Sequence, residues 1–303
     1  MSNIAFLFPG QGAQTIGMGQ ALCEELPAAQ NLFDQAAEVL GYDLAEICFQ
    51  GPAEKLNTTA VSQPALYVMS MAALEKLKVE HPSAYENCAA AAGLSLGEYT
   101  AIAFAGGMSF EDGLKLVQQR GLAMQQAADE TPSGMVSILG LDRQQTDAVC
   151  DEARLEGEIL QVANLLCGGN IAVSGHRASC ERVESVAQAA GAMKTVPLAV
   201  AGAFHTPIMQ SAVAKLAAAL SEIQLHDTRI PVYSNVDARP HQSAAEIREL
   251  LVQQVCGPVL WQQSMEQMLA DGFDEFYEVG AGRVLRSLLK RINRKTVCHG
   301  VPE

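Results

Sequence analysis

Basic residues are scarce in this chain of 303 residues. Twenty lysines and arginines stand against 34 aspartates and glutamates, a formal charge of −14. That balance argues against nucleic-acid binding, which draws on a basic surface to release phosphate counterions. It argues equally against docking on an anionic membrane. Long apolar runs are missing: no stretch approaches the roughly 18 residues of a spanning helix. Met1-Ser2-Asn3 also lacks the basic region of a signal peptide. Cysteine is thin, eight scattered residues with no C-x-x-C pair and no zinc spacing, which excludes a disulfide scaffold. Reduced thiols in a cytoplasmic compartment are the expectation. Charged residues make up only 18% against 49% hydrophobic, so disorder is excluded and a large core is available.

What is present is an alternation of strand and helix signals. Ile4–Phe8 and Cys88–Ala92 read as short buried strands. Gln30–Leu40 places Leu32, Phe33, Ala36, Val39 and Leu40 on one helical face, with Gly41 as a stop. Pro64–Lys78 is a second helix, and another follows Gly97 through Phe104. Ser109 caps a helix running to about Gln126, with Asp112 at its third position.

The middle of the chain changes character. Met135–Leu139, Arg143–Leu155, Ile159–Ala163, Ile171–Ser174, Arg177–Ala190 and Lys194–Leu198 give the order β-α-β-β-α-β, the split-βαβ signature of a ferredoxin-like unit. A small domain inserted at 130–200 follows, between two outer parts (1–129 and 201–303). Helices at Pro207–Ile223 and Val284–Ile292, with strands at Pro231–Ser234 and Phe276–Val279, complete the second part. The expected fold class is α/β, with the outer parts joined around a mainly parallel sheet.

Gly93-x-Ser95-x-Gly97 lies between an apolar strand and a helix, the setting in which a sharp turn exposes a serine oxygen. Ser95 is either a nucleophile or a cap of the following helix. A serine nucleophile needs a base. Of the six histidines, His205 stands apart: it follows Gly202-Ala203-Phe204 and precedes Thr206-Pro207 at a helix start. It is either that base or a core histidine. Gly10-Gln11-Gly12 fails both the dinucleotide fingerprint and the P-loop pattern. It is a plain turn or a source of backbone N–H groups for an oxyanion. Arg120 borders the apolar stripe Leu114, Val117, Gly121, Met124. An inward guanidinium needs an anion, either a structural carboxylate or one carried by a substrate.

Five separated segments together resemble the malonyl-CoA:acyl carrier protein transacylase family. They are Phe8-Pro9-Gly10-Gln11-Gly12, Gly93 through Tyr99, Gln119-Arg120-Gly121, Gly202-Ala203-Phe204-His205, and Tyr233-Ser234-Asn235 with Gln254 before Gly257-Pro258-Val259. The resemblance spans nearly the whole chain and implies an α/β-hydrolase-like core carrying a ferredoxin-like subdomain. It further implies Ser95 as nucleophile, His205 as base, and the backbone amides of Gln11 and Leu96 as oxyanion hole. Arg120 would hold the malonyl carboxylate, and a backbone carbonyl near Gln254 would orient the histidine. Asn164 would lie near the site. The implied partners are malonyl-CoA and acyl carrier protein, serving fatty acid synthesis, with no metal or bound cofactor; a monomer is the expectation, although no feature of the sequence fixes the oligomeric state. Lys290, Arg291, Arg294 and Lys295, or Arg283 and Arg286, are candidates for the carrier-facing basic patch. Two departures stand out: Leu94 replaces a frequent histidine before the nucleophile, and Leu165 to Asn170 replaces a more polar stretch. Phe204 fits the malonyl-type pattern.

Overall fold

A computed structural model describes residues 2–302. Its main sheet holds six strands: β1 (Ile4–Phe8), β2 (Cys88–Gly93), β7 (Val232–Tyr233), β8 (Pro240–His241), β9 (Glu275–Val279) and β10 (Val297–Val301). Their order is β10-β9-β1-β2-β7-β8, and every pairing is parallel except that of β7 with β8. Along β1 the residues alternate between two cores. Ile4, Phe6 and Phe8 enter the larger one with Phe33, Tyr67 and Tyr99, while Ala5 and Leu7 meet Trp261, Met265, Leu285 and Leu289. A parallel sheet covered on both faces reads as a continuous apolar run, which is why β1 and β2 lack polar positions.

The helices that place the site are α1 (Pro27–Leu40), α2 (Thr59–Glu80), α3 (Leu96–Phe104), α4 (Phe110–Glu130), α5 (Arg143–Ala153), α6 (Arg177–Ala189), α7 (Gln210–Glu222), α8 (Ala244–Gln254), α9 (Trp261–Ala270) and α10 (Val284–Ile292). None is long and apolar enough to cross a membrane. Helix α2 begins five residues before the expected Pro64 and carries that proline inside it. It is buried nearly all round, Gln63 and Ser70 included, so it shows no amphipathic stripe from which its start could be read.

Residues 133–197 form a second, antiparallel sheet of β3 (Ser133–Leu139), β4 (Leu160–Cys167), β5 (Asn170–His176) and β6 (Lys194–Pro197), ordered β4-β5-β3-β6 and backed by α5 and α6. Its separate core contains Val136, Ile138, Val149, Leu160, Val173 and Val183. The class is therefore α/β with a mainly parallel sheet and a small βαββαβ unit inserted between α4 and α7, as expected. Helices α8 and α9 and strand β10 lie where no element was expected. All eight cysteines are unpaired thiols, and five of them are buried.

Candidate active site

The adjacent parallel strands β1 and β2 end side by side, with Phe8 opposite Gly93. The loops beyond them therefore share one sheet edge, the usual place for a site in such a fold. The turn after β2 is compressed: a Cβ on Gly93 would lie 1.9 Å from the Gly97 carbonyl carbon, and one on Gly97 would lie 2.0 Å from the Phe8 oxygen. Only glycine fits at either place. Between them Ser95 takes φ 51° and ψ −97°, a conformation that side-chain-bearing residues rarely adopt. Both of its backbone groups are tied. Its N–H donates to Asn235 Oδ1 at 2.6 Å, and its carbonyl accepts from Gln254 Nε2 at 3.1 Å.

Ser95 occupies the N-cap position of α3, yet its hydroxyl caps nothing. It lies instead 2.9 Å from His205 Nε2 and accepts from Arg120 Nη2 at 3.0 Å. On the other side of the imidazole, Nδ1 lies 2.9 Å from the Gln254 carbonyl oxygen. A carbonyl only accepts, so Nδ1 carries the proton and Nε2 is left to accept from Ser95. His205 is held at φ 62° and is buried. Burial first, and then the charge of Arg120, pushes its pKa down to about 4. Histidine's ordinary value lies at about 6.5. The structure moves it well below, because desolvation and a neighbouring cation both oppose the imidazolium.

Arg120 comes from the middle of α4 and is 1% exposed. Its Nη1 donates to Gln63 Oε1 at 2.8 Å, its Nη2 also donates to Gln254 Oε1 at 3.0 Å, and its Cζ sits 5.0 Å above the Tyr99 ring. Its buried Nε has no partner. Among the described residues no carboxylate oxygen lies within 4.0 Å of the guanidinium. A structural carboxylate in direct contact, one of the two partners weighed from the sequence, is therefore absent.

A further carboxylate stands one residue away. Glu98, buried on α3, accepts through Oε2 from Gln254 Nε2 at 2.7 Å and from Asn235 N at 3.0 Å. Burial outweighs these bonds and raises its pKa to about 7.

A cavity of about 280 Å³ opens over Ser95. Gln11, Leu96, Arg120, His205 and Asn164 all line it, with Leu94, Met135, Leu198 and Phe204 among its apolar walls. The backbone amides of Gln11 and Leu96 have no acceptor among the described residues. Asn164 sits where β4 makes a parallel bridge to Val259. Gln254 does not line the cavity; it stands behind it, reaching Ser95, Arg120 and His205 together. From the altered Leu165–Asn170 stretch, Leu166 and Asn170 both reach the cavity, Asn170 held by Ser137 Oγ at 2.9 Å. Sequence reasoning missed Gln63, which carries no motif, and gave no role to Glu98, Tyr99 or Asn235, although each lies inside a matching segment.

A serine on a strand-to-helix turn, a histidine hung on a carbonyl and a buried arginine thus meet at one cavity, and the family profile described as "Acyl transferase domain" matches residues 5–299. A malonyl CoA-acyl carrier protein transacylase of Bacillus subtilis is 41% identical over 100% of this chain and 95% of its own. The corresponding transacylase structure from Coxiella burnetii superimposes with a TM-score of 0.94 at 34% identity, covering 99% of this chain and 94% of that one. A malonyl-transacylase in complex with a type II PKS acyl-carrier protein gives 0.95 at 37% identity, over 100% and 96% of the two chains. The chain belongs to the malonyl-CoA:acyl carrier protein transacylase family, and it is an acyltransferase.

Proposed function

We propose that this enzyme moves a malonyl group from malonyl-CoA to the phosphopantetheine thiol of an acyl carrier protein through a malonyl ester on Ser95. The carrying observation is Arg120: a buried cation with neutral partners and a free Nε, 3.0 Å from the nucleophile. Leaving a charge buried and unpaired is expensive. A substrate that brings its own carboxylate satisfies the fork bidentately. A neutral acyl group gains nothing from it.

In this reading Ser95 Oγ attacks the thioester carbon while its proton passes to His205 Nε2. The Gln11 and Leu96 amides receive the oxyanion, where fixed dipoles outperform reorganising water. The CoA sulfur leaves with the proton from His205, and the malonyl ester remains on Ser95. The carrier thiol then gives its proton to His205 and attacks the ester. Ser95 departs and recovers the proton. No step calls for a metal or a prosthetic group.

Helix α10 supports a docking surface for the carrier. Val284 and Leu288 face the catalytic cavity, while Ser287, Lys290, Arg291 and, just beyond the helix, Arg294 line a neighbouring recess of about 560 Å³ with Gly168. Arg286 is already engaged with Glu278 at 3.8 Å. The reading places the enzyme in the cytoplasm as a monomer, serving fatty acid synthesis. The type II PKS complex among its structural relatives favours a second destination for the same chemistry. Incubation with radiolabelled malonyl-CoA tests the first half: one label per chain should appear on Ser95 and pass to a holo-carrier. Labelling elsewhere, or release as free malonate at the same rate with the carrier present, overturns it. Competition between carriers of the two pathways decides the destination.

A further inference from the structure

The Glu98 carboxylate takes no part in the steps above, yet it is one residue removed from them: its partner Gln254 reaches Ser95, Arg120 and His205. Its Oε2 accepts from Gln254 Nε2 and from the Asn235 amide. The other end of the Gln254 amide, Oε1, accepts from Arg120 Nη2. Arg120, Gln254 and Glu98 thus form a line of cation, amide dipole and carboxyl, with the dipole oriented favourably toward both ends. Every member is buried. The surrounding side chains are few. From α4 comes Arg120 itself, and from α3 Tyr99, whose ring lies under the guanidinium. Ser234 and Asn235 after β7 and Gln254 at the end of α8 are neutral, and His205 stands beyond Gln254, tied to its backbone oxygen.

We propose that Glu98 is the resting counter-ion of Arg120, kept off the guanidinium by the width of the Gln254 side chain, and that a substrate carboxylate arriving at Arg120 displaces it in that role and puts a proton on it. The proposal rests on the malonyl reading of the site. Its physical logic is a choice between two costs. A carboxylate in direct contact with Arg120 would occupy the fork that the substrate must take. No carboxylate at all would leave a buried cation uncompensated. A carboxylate one amide away offsets the charge and leaves the guanidinium with neutral partners only, which an incoming carboxylate can replace. When the substrate anion binds, two buried carboxylates flank one guanidinium, and like charges at short range cannot both stay ionised. Glu98 is the one with freedom to change: burial already raises its pKa to about 7. The proton comes from the buffer. Site charge is the same before and after, with one cation and one anion in each state.

Binding and proton uptake are linked, which makes the proposal measurable. Calorimetric titration of malonyl-CoA into a Ser95→Ala protein at pH 7.5, in buffers of differing ionisation enthalpy, should show uptake of a substantial fraction of a proton. Acetyl-CoA should show none. In a Ser95→Ala, Glu98→Gln protein the malonyl-linked uptake should vanish. Malonyl affinity of the parent should weaken as pH rises through about 7, where ionised Glu98 opposes the incoming anion, and should be flat there with glutamine. Uptake that survives Glu98→Gln belongs to His205 and overturns the proposal, as does malonyl binding with no uptake at all. If the double variant does not fold, carboxyl-13C glutamate in the Ser95→Ala protein serves instead. One buried signal must titrate near 7 and shift to the protonated position when malonyl-CoA is added; no such shift overturns the proposal. Failure of malonyl-CoA to label wild-type Ser95 would remove the underlying reading, whereas labelling without proton uptake removes this inference alone.

Discussion

The imidazole of His205 hangs from a peptide oxygen: its Nδ1 lies 2.9 Å from the Gln254 carbonyl. No carboxylate performs this task. A carbonyl fixes the tautomer and ring as well as a carboxylate does, but it offers less charge to stabilise the imidazolium. Together with burial beside Arg120, this leaves a base that resists protonation.

The pH dependence follows in sign. In the proposed mechanism neutral imidazole is the competent form, and in the free enzyme it persists until pH falls to about 4. A plot of kcat/KM for malonyl-CoA, which reports the free enzyme, should show no downward break near 6.5. On the acid side it should fall only as pH approaches 4. The same shift acts on stability: between histidine's ordinary value of about 6.5 and the folded value, the unfolded chain takes up a proton that the fold refuses. That stability is present above 6.5 and is lost on acidification. Denaturant midpoints of His205→Ala and wild type across pH 4–8 would expose it.

Replacing Ser95 with alanine should abolish covalent malonylation, read as the loss of the acyl-enzyme mass. Replacing His205 with alanine should slow acylation by about 10²–10⁴-fold, the usual contribution of a positioned base. A His205→Ala protein within a few-fold of wild type in single turnover would remove the histidine from the mechanism.

Arg120→Ala should reverse acyl preference. Removing one partner of a desolvated ion pair costs roughly 3–5 kcal/mol, on the order of 10²–10³-fold or more in malonyl transfer. Acetyl transfer, with no carboxylate to lose, should hold level or rise. Arg120→Lys should restore only part of the malonyl rate, since a point charge cannot reach both Gln63 and Gln254 as the planar fork does. Equal loss of both substrates on kcat/KM would make Arg120 structural.

Gly97→Ala should damage the fold itself. The new methyl would sit 2.0 Å from the Phe8 oxygen, backbone that cannot swing aside. A loss of more than about 3 kcal/mol in denaturant unfolding is expected. Leu94→His, by contrast, changes a half-buried cavity wall and should alter the malonyl rate by less than about tenfold in steady-state assays.

Much of this site was legible beforehand because its chemistry sits in compact motifs. The elbow glycines, Arg120 and His205 each announce themselves through local spacing. Glu98, Gln63 and the side-chain bonds of Gln254 did not, because their function depends on long-range placement. Ser95 and Gln254 are 159 positions apart, and nothing in Val252-Gln253-Gln254 shows which glutamine turns inward. The βαββαβ insert was readable from its element order, and β1 and β2 from their unbroken apolar runs. Helix α9 was not: its buried Trp261, Ser264, Met265 and Met268 are interspersed with glutamines, and no side-chain cap marks its start.

The inserted unit lies in the chain between Arg120 and His205. His205 thus follows Ser95 in the chain by way of some 65 residues that form a sheet of their own. Gln161, on that sheet, even donates to the His205 carbonyl at 3.3 Å. Assembly of the catalytic pair is thus a report on tertiary completion. An intermediate with a formed main sheet and an open insert would present Ser95 without its base, and with it a native-like circular dichroism spectrum and no turnover. During refolding, recovery of acylation should lag behind recovery of secondary structure by the time the insert takes to close.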